Sequence, residues 1–343
     1  MKKTSRQFTA LAIVFSAFVI GPAVAQPAAP SMEGKTLTIY SGVGPGGGYD
    51  AYGRMVARSI GRHIPGSPTV IAANMPGGGG RKLGNYIYNA APKDGSAIGI
   101  IQHTTVYDAA FGESGIHYDA TKFNWLGSMA GVTFIGFAWG ETGVKTIDDA
   151  RKKQISVGAT GTGATSFQYP MLLNRMFGTR LKIVTGYKGS AEIYHAVEQR
   201  ELDGTGGLAW DALRNSHGSW ISENKINIFV QFALKRNPQL PNVPTIMELA
   251  RTPQEKQVLQ FIFSGLEFAR PFQAPPGTPK AVVEMLRKAM MTVAKDPGLL
   301  EEAKRRRFDV DPVDGAAVQR MVQDIYDAPK SVKDEAKRLL AAK

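Results

Sequence analysis

The stretch Thr36–Asp50, TLTIYSGVGPGGGYD, decides the fold class. Thr36-Leu37-Thr38-Ile39-Tyr40 is apolar and β-branched and reads as a strand running out at Ser41. Gly44-Pro45-Gly46-Gly47-Gly48 then turns the chain, and from Tyr49 to Arg62 the residues Tyr52, Val56 and Ile60 recur every fourth position, one face of a helix. The same sequence of elements comes again: a strand over Thr69–Ala73, a turn over Asn74–Gly80, a helix through Leu83, Ile87 and Tyr88, and a third strand over Ala97–Ile101. Strand and helix in alternation imply a parallel sheet with right-handed crossovers.

The pattern restarts beyond an irregular stretch at Phe111–Trp125. Strands are expected over Val132–Trp139, Ser156–Ala159, Leu181–Val184 and Ile226–Phe232, with helices over Thr146–Lys152, up to Phe177 and over Ala191–Glu198. Pro275-Pro276-Gly277-Thr278-Pro279 introduces a helical C-terminal region broken at Asp296-Pro297-Gly298. At 343 residues the chain exceeds what one core serves, so the expected fold is α/β in two lobes, each a mainly parallel sheet flanked by helices.

No cysteine is present, which excludes disulfides, thiol nucleophiles and Cys-ligated zinc. Lys2, Lys3 and Arg6 precede an apolar run from Phe8 to Ile20, and Ala23-Val24-Ala25 offers small residues for cleavage. Residues 1–25 therefore read as a secretory signal cut after Ala25, sending the chain to the periplasm. That destination argues against a nucleic-acid partner despite a formal charge of +12 and a pI near 9.7. The basic run Lys304–Arg307 suits a solvated helix end better than a docking patch.

Four glycine-rich turns, at 44–48, 76–80, 161–163 and 186–189, each lie between a strand and a helix. There free backbone N–H groups and the positive end of the helix dipole converge, and the missing Cβ atoms allow close approach; the fitting guest is an anion. Gly42-Val43-Gly44-Pro45-Gly46-Gly47 matches the dinucleotide fingerprint in form, but its second strand ends in Asn74 where a ribose would need an acid, so no cofactor is expected. No nucleophile elbow or zinc-binding His pair occurs, and Glu192 with His195 makes a helix-surface pair, so neither catalysis nor a metal is expected. His103, ending a strand, is a candidate to face the cleft.

The chain resembles the substrate-binding proteins of the tripartite tricarboxylate transporters, the TctC or Bug family. The resemblance runs from about Leu37 to about Ala317. It rests on Pro45–Asp50, Asn74–Gly80, Ala91–Gly95, Gly186–Ala191, Leu240–Thr245 and Ala274–Pro279, six motifs in order. It implies a periplasmic protein, expected as a monomer, that closes like a flytrap on a small carboxylate held by backbone N–H groups and hydroxyls, with no arginine clamp. On that layout lobe 1 comprises 34–130 plus 265–343 and lobe 2 comprises 131–264, hinged at Met129–Val132 and Ser264–Ala269.

Carried onto this sequence, the ligand-binding set is Ser41, Gly46, Gly47, Gly48, Tyr49 and Asp50 from the first strand and loop, and Gln102, His103 and Thr104 after the third strand. The second lobe adds Thr160, Thr162, Thr165, Tyr187, Gly189 and Gly207. Gly207 stands where the family often carries an acid near a bound amino group, which favours a plain mono- or dicarboxylate over an amino acid. The implied partners are transporter subunits in the membrane. A sensor docking on a membrane receptor, or less readily an exported α/β enzyme, are the alternatives.

Overall fold

The computed structural model describes residues 30–341 and builds two sheets. The expected signal segment lies outside the described residues. The first βαβ pass comprises β1 (Thr36–Ser41), α1 (Gly48–Ile60), β2 (Thr69–Asn74), α2 (Arg81–Asn89) and β3 (Ala97–Ile100). Helix α3 (Thr104–Ala110) and strand β4 (Asn124–Ser128) follow, and the chain crosses to the second sheet over residues 129–133. There it forms β5 (Phe134–Trp139), α4 (Ile147–Lys152), β6 (Ile155–Ala159), α5 (Thr165–Phe177), β7 (Leu181–Thr185) and α6 (Ser190–Glu198). Strand β8 (Gly204–Ala209), α7 (Trp210–Ser222), β9 (Ile226–Phe232) and α8 (Pro253–Phe263) complete that half. The chain returns over 264–270 into β10 (Pro271–Ala274), α9 (Lys280–Val293), α10 (Pro297–Arg306), β11 (Val313–Asp314), α11 (Gly315–Asp327) and α12 (Lys330–Leu340).

The first sheet runs β11-β4-β10-β3-β1-β2 and the second β7-β6-β8-β5-β9. Pairings of β1 with β2 and β3, and of β6 with β7 and β8, are parallel, the βαβ signature. Strands β10 and β5, which enter from a crossing, run antiparallel to both neighbours, so each sheet is mixed. Each sheet carries an apolar layer on both faces. Met55 and Met290 lie on one side of the first and Leu83 and Val322 on the other. Leu172 and Ile262 flank one side of the second sheet, with Tyr194 and Trp220 on the other.

The two crossings are hydrogen-bonded to each other. The Met129 N–H donates to the Arg270 carbonyl at 3.2 Å, and the Val132 N–H to the Leu266 carbonyl at 3.2 Å. A third crossing corrects the expectation that 265–343 sits wholly in lobe 1. Helix α12 leaves the first sheet and buries Ala336, Leu339 and Leu340 in the core of the second, with Leu172 and Leu259. Arg175 ties it there by donating to the Arg338 and Ala341 carbonyls at 2.7 Å. Its apolar residues recur at helical spacing and need a partner, which α5 and α8 supply. Among the described residues no helix is long and apolar enough to cross a membrane.

Candidate functional site

The four glycine turns meet in pairs across the gap between the lobes. In the first pair, the Gly44 N–H donates to the Lys188 carbonyl at 2.7 Å. A Cβ on Gly44 would stand 3.1 Å from that of Lys188. The other pair is tighter: a Cβ on Gly79, at φ +71°, would lie 2.5 Å from the Ala164 nitrogen, and one on Gly161 would lie 2.8 Å from the Gly79 nitrogen. Contact of main chain with main chain is what glycine permits here. Thr104 fastens this pair by donating its hydroxyl to the Gly163 carbonyl at 2.6 Å.

Behind these contacts lies a partly open cavity lined by residues of both lobes. About 40 Å³ of it admits the centre of a water molecule. Four helices begin at its wall: α1 through Gly47, Gly48 and Tyr49, α5 through Thr165 and Ser166, α6 through Ser190, and α7 through Ala209 and Ala212. None of the four has a side-chain cap. Of the helices that start elsewhere, α4, α8, α10 and α11 are capped by Thr146, Thr252, Asp296 and Asp314, while α2, α3, α9 and α12 are not. First-turn N–H groups without a cap, with the positive dipole ends behind them, point to an anionic occupant. Thr160 adds a buried hydroxyl without a partner among the described residues.

The cavity also holds a cation. Arg270 is wholly buried, with its guanidinium 4.5 Å from the ring centre of Tyr49 and 5.0 Å from that of Tyr52. Its Nη2 donates to both Asp211 oxygens, at 3.1 and 3.2 Å, while Nε and Nη1 have no partner among the described residues. Burial works against the charge, but Asp211 together with Tyr49 and Tyr52 holds the Arg270 pKa above the usual arginine value. The Tyr52 hydroxyl lies 3.2 Å from Asp211 and donates to the Asp309 carbonyl at 2.7 Å. Burial pushes the Tyr49 hydroxyl up to about 12, so it stays a neutral donor. Arg270 departs from the arginine-free site that the resemblance implies. The one sequence signal for it is a lone charge inside Phe268-Ala269-Arg270-Pro271-Phe272.

Of the expected ligand-binding residues, Gly47, Gly48, Tyr49, Gln102, Thr160 and Thr165 line this cavity. Phe134, Ser166, Ser190 and Arg270 line it too and were not expected. The rest lie off its wall. Asp50 is engaged by Arg54 and Asn74 and by the Gly46 N–H, so its acceptors close the first loop. Ser41 faces Gly53 under α1, and Thr104 and Gly189 serve the contacts between loops. Thr162 offers its carbonyl to Gln168, and Tyr187 lines a separate glycine-walled recess that adjoins the cavity at Thr160. Gly207 leaves room for α5: a Cβ there would be 2.4 Å from the Thr165 carbonyl oxygen.

His103 does not face the cavity. It is buried between the Tyr49 hydroxyl, 3.3 Å from Nδ1, and the Tyr169 hydroxyl, 3.1 Å from Nε2. Burial, aided by the charge of Arg270, lowers its pKa to about 3, so it is a neutral strut between the lobes. Glu192 accepts from the Lys188 N–H, and among the described residues no cluster of three or more metal-ligating side chains forms.

Two α/β lobes joined by crossing segments and meeting over a small, largely apolar void have the architecture of a two-lobed binding protein. The chain belongs to the tripartite tricarboxylate transporter family receptor family, TctC, which it matches over residues 53–336. It is 27% identical to the UPF0065 protein of the TAR-I ttuE-ttuC' intergenic region of Agrobacterium vitis, covering 85% of this chain and 80% of that one. Among solved structures, the periplasmic binding protein BugD superposes with a TM-score of 0.72 at 22% identity, over 90% of this chain and 99% of that one. MatC of Rhodopseudomonas palustris, with bound malate, gives 0.69 at 18% identity over 87% and 99%. An R. palustris protein with adipate gives 0.67 at 22% identity over 88% and 97%.

Proposed function

We propose that this chain is a periplasmic receptor that captures a small organic carboxylate between its lobes and delivers it to a tripartite tricarboxylate-type membrane transporter. The observation that carries the reading is the convergence of four uncapped helix N-termini, from both lobes, on one cavity. Because α1 comes from one lobe and α5, α6 and α7 from the other, an anion at their common point draws the lobes together. Closure is then a rigid-body movement about residues 129–133 and 264–270, and opening releases the solute unchanged. Malate and adipate in two structural neighbours support the ligand class.

The test is a thermal-shift screen of ligand-stripped protein starting at Gln26, with carboxylates, amino acids, sugars and nucleotides. A carboxylate at 100 times its Kd is expected to stabilise the fold by about 2.7 kcal/mol. Shifts confined to sugars or nucleotides, or none at all, would overturn the reading. Turnover of any binding solute would reassign the chain as an enzyme. Co-purification with transporter subunits is expected, and with a receptor ectodomain alone is not.

A further inference from the structure

We infer that Arg270 is the charge anchor of the site and that the ligand is a short monocarboxylate with an apolar tail; this rests on the carboxylate reading above. A guanidinium has five N–H donors and no acceptor. The Arg270 side chain is fully buried, yet Asp211 engages only Nη2, leaving Nε and Nη1 unpaired beside the void. Buried unpaired donors are costly, and a carboxylate oxygen from the ligand removes that cost with a charge-assisted bond. Asp211 is the positioning residue. Held in the first turn of α7 by the Ala212 N–H at 2.7 Å, it fixes the guanidinium and is itself satisfied before ligand arrives.

The number of carboxylates follows from the remaining wall. Arg270 is the single charged side chain lining the cavity among the described residues. The other side chains on the wall are neutral, and Val43, Phe134, Leu208, Ala209 and Ala212 among them are apolar. A second carboxylate pressed against that surface would be buried without a counter-ion. Size points the same way. The 40 Å³ that admits water centres corresponds to roughly three water positions. That suits an acid of about two or three carbons, shorter than the malate or adipate of the structural neighbours.

Calorimetric titration of the stripped protein with propionate, lactate, malate, adipate and propionamide tests both parts. Propionate or lactate is expected to bind at least 100-fold more tightly than malate or adipate, and propionamide not to bind. Arg270→Gln is expected to lower monocarboxylate affinity about 10- to 100-fold, the effect of losing one or two charge-assisted bonds. Because Arg270→Gln strands the buried Asp211, the double variant R270L/D211N, which leaves no unpaired charge, serves as the folded control and is expected to lose affinity equally. Malate or adipate binding as tightly as propionate, or full affinity in the folded double variant, would overturn the inference and leave the carboxylate reading standing. Binding of no carboxylate at all would overturn that reading as well.

Discussion

Two buried residues that join the lobes titrate against each other. Asp108 of α3 accepts from Gln168 of α5 at 2.8 Å and from Arg81 at 2.8 Å, and burial still raises its pKa to about 6. A raised carboxyl pKa means that its contribution to stability is full below the unfolded value, 3.8, and is lost as pH rises through 6. His103 has the opposite sign: lowered to about 3, its contribution is full above the unfolded value, 6.5, and is lost as pH falls toward 3. Between pH 4 and 6 the two slopes nearly cancel. Asp108→Asn removes one of them, so denaturant unfolding of that variant should show stability falling by about 1.4 kcal/mol per pH unit on acidification across this range. His103→Gln should show the reverse slope. Parallel pH profiles for wild type and D108N would mean that Asp108 is not buried as an acid.

At the scale of elements, a side-chain cap and a bound anion compete for the same first-turn N–H groups. Thr146, at the start of the helix expected over Thr146–Lys152, caps α4. The helices at the cavity start after Gly47, Ala164, Gly189 and Ala209, none of which fills the first turn with a side-chain acceptor. Gly47→Ser supplies one. Its Cβ would meet only the hydroxyl end of Ser190, at 2.8 Å, which can rotate away. Ligand affinity should fall about 5- to 30-fold while thermal stability holds or rises, since a cap contributes about 1 kcal/mol and competes with the ligand for the same N–H groups. Calorimetry paired with a melt reads both; unchanged affinity would remove α1 from the site.

The same scale shows what the sequence leaves hidden. The βαβ pass of β1 to β3 is legible because strand and helix periods differ along it. Strand β8 is not, because Gly204-Thr205-Gly206-Gly207 reads as a turn. Its glycines answer to packing: a Cβ on Gly204 would fall 2.1 Å from the Phe137 carbonyl oxygen, and one on Gly206 would fall 2.6 Å from Pro170. The glycine turns were legible as sites of close approach, but whether a ligand or another turn makes that approach depends on how two distant segments meet. For the same reason Arg270 and Asp211, 59 residues apart, carry no pattern that joins them.

At the scale of the whole molecule, α12 decides how the lobes are tied. With crossings at 129–133 and 264–270 alone the lobes would share one two-stranded hinge, whereas α12 makes a third connection on the far side of α11. Its attachment is apolar, through Leu339 and Leu340 against α5 and α8. Leu339→Ala should therefore cost about 2–5 kcal/mol, the usual penalty for emptying a buried leucine site. The cost should be local. Hydrogen exchange should quicken in α5, α8 and α12 while α1, α9 and β1 keep their protection, because the first lobe's core contains no residue of α12. Ligand should restore much of the loss, since α5 begins at the cavity and a bound anion holds its first turn. Uniform loss of protection in both lobes would instead mean that the strap and the two sheets unfold as one unit, and that α12 serves global stability more than the hinge.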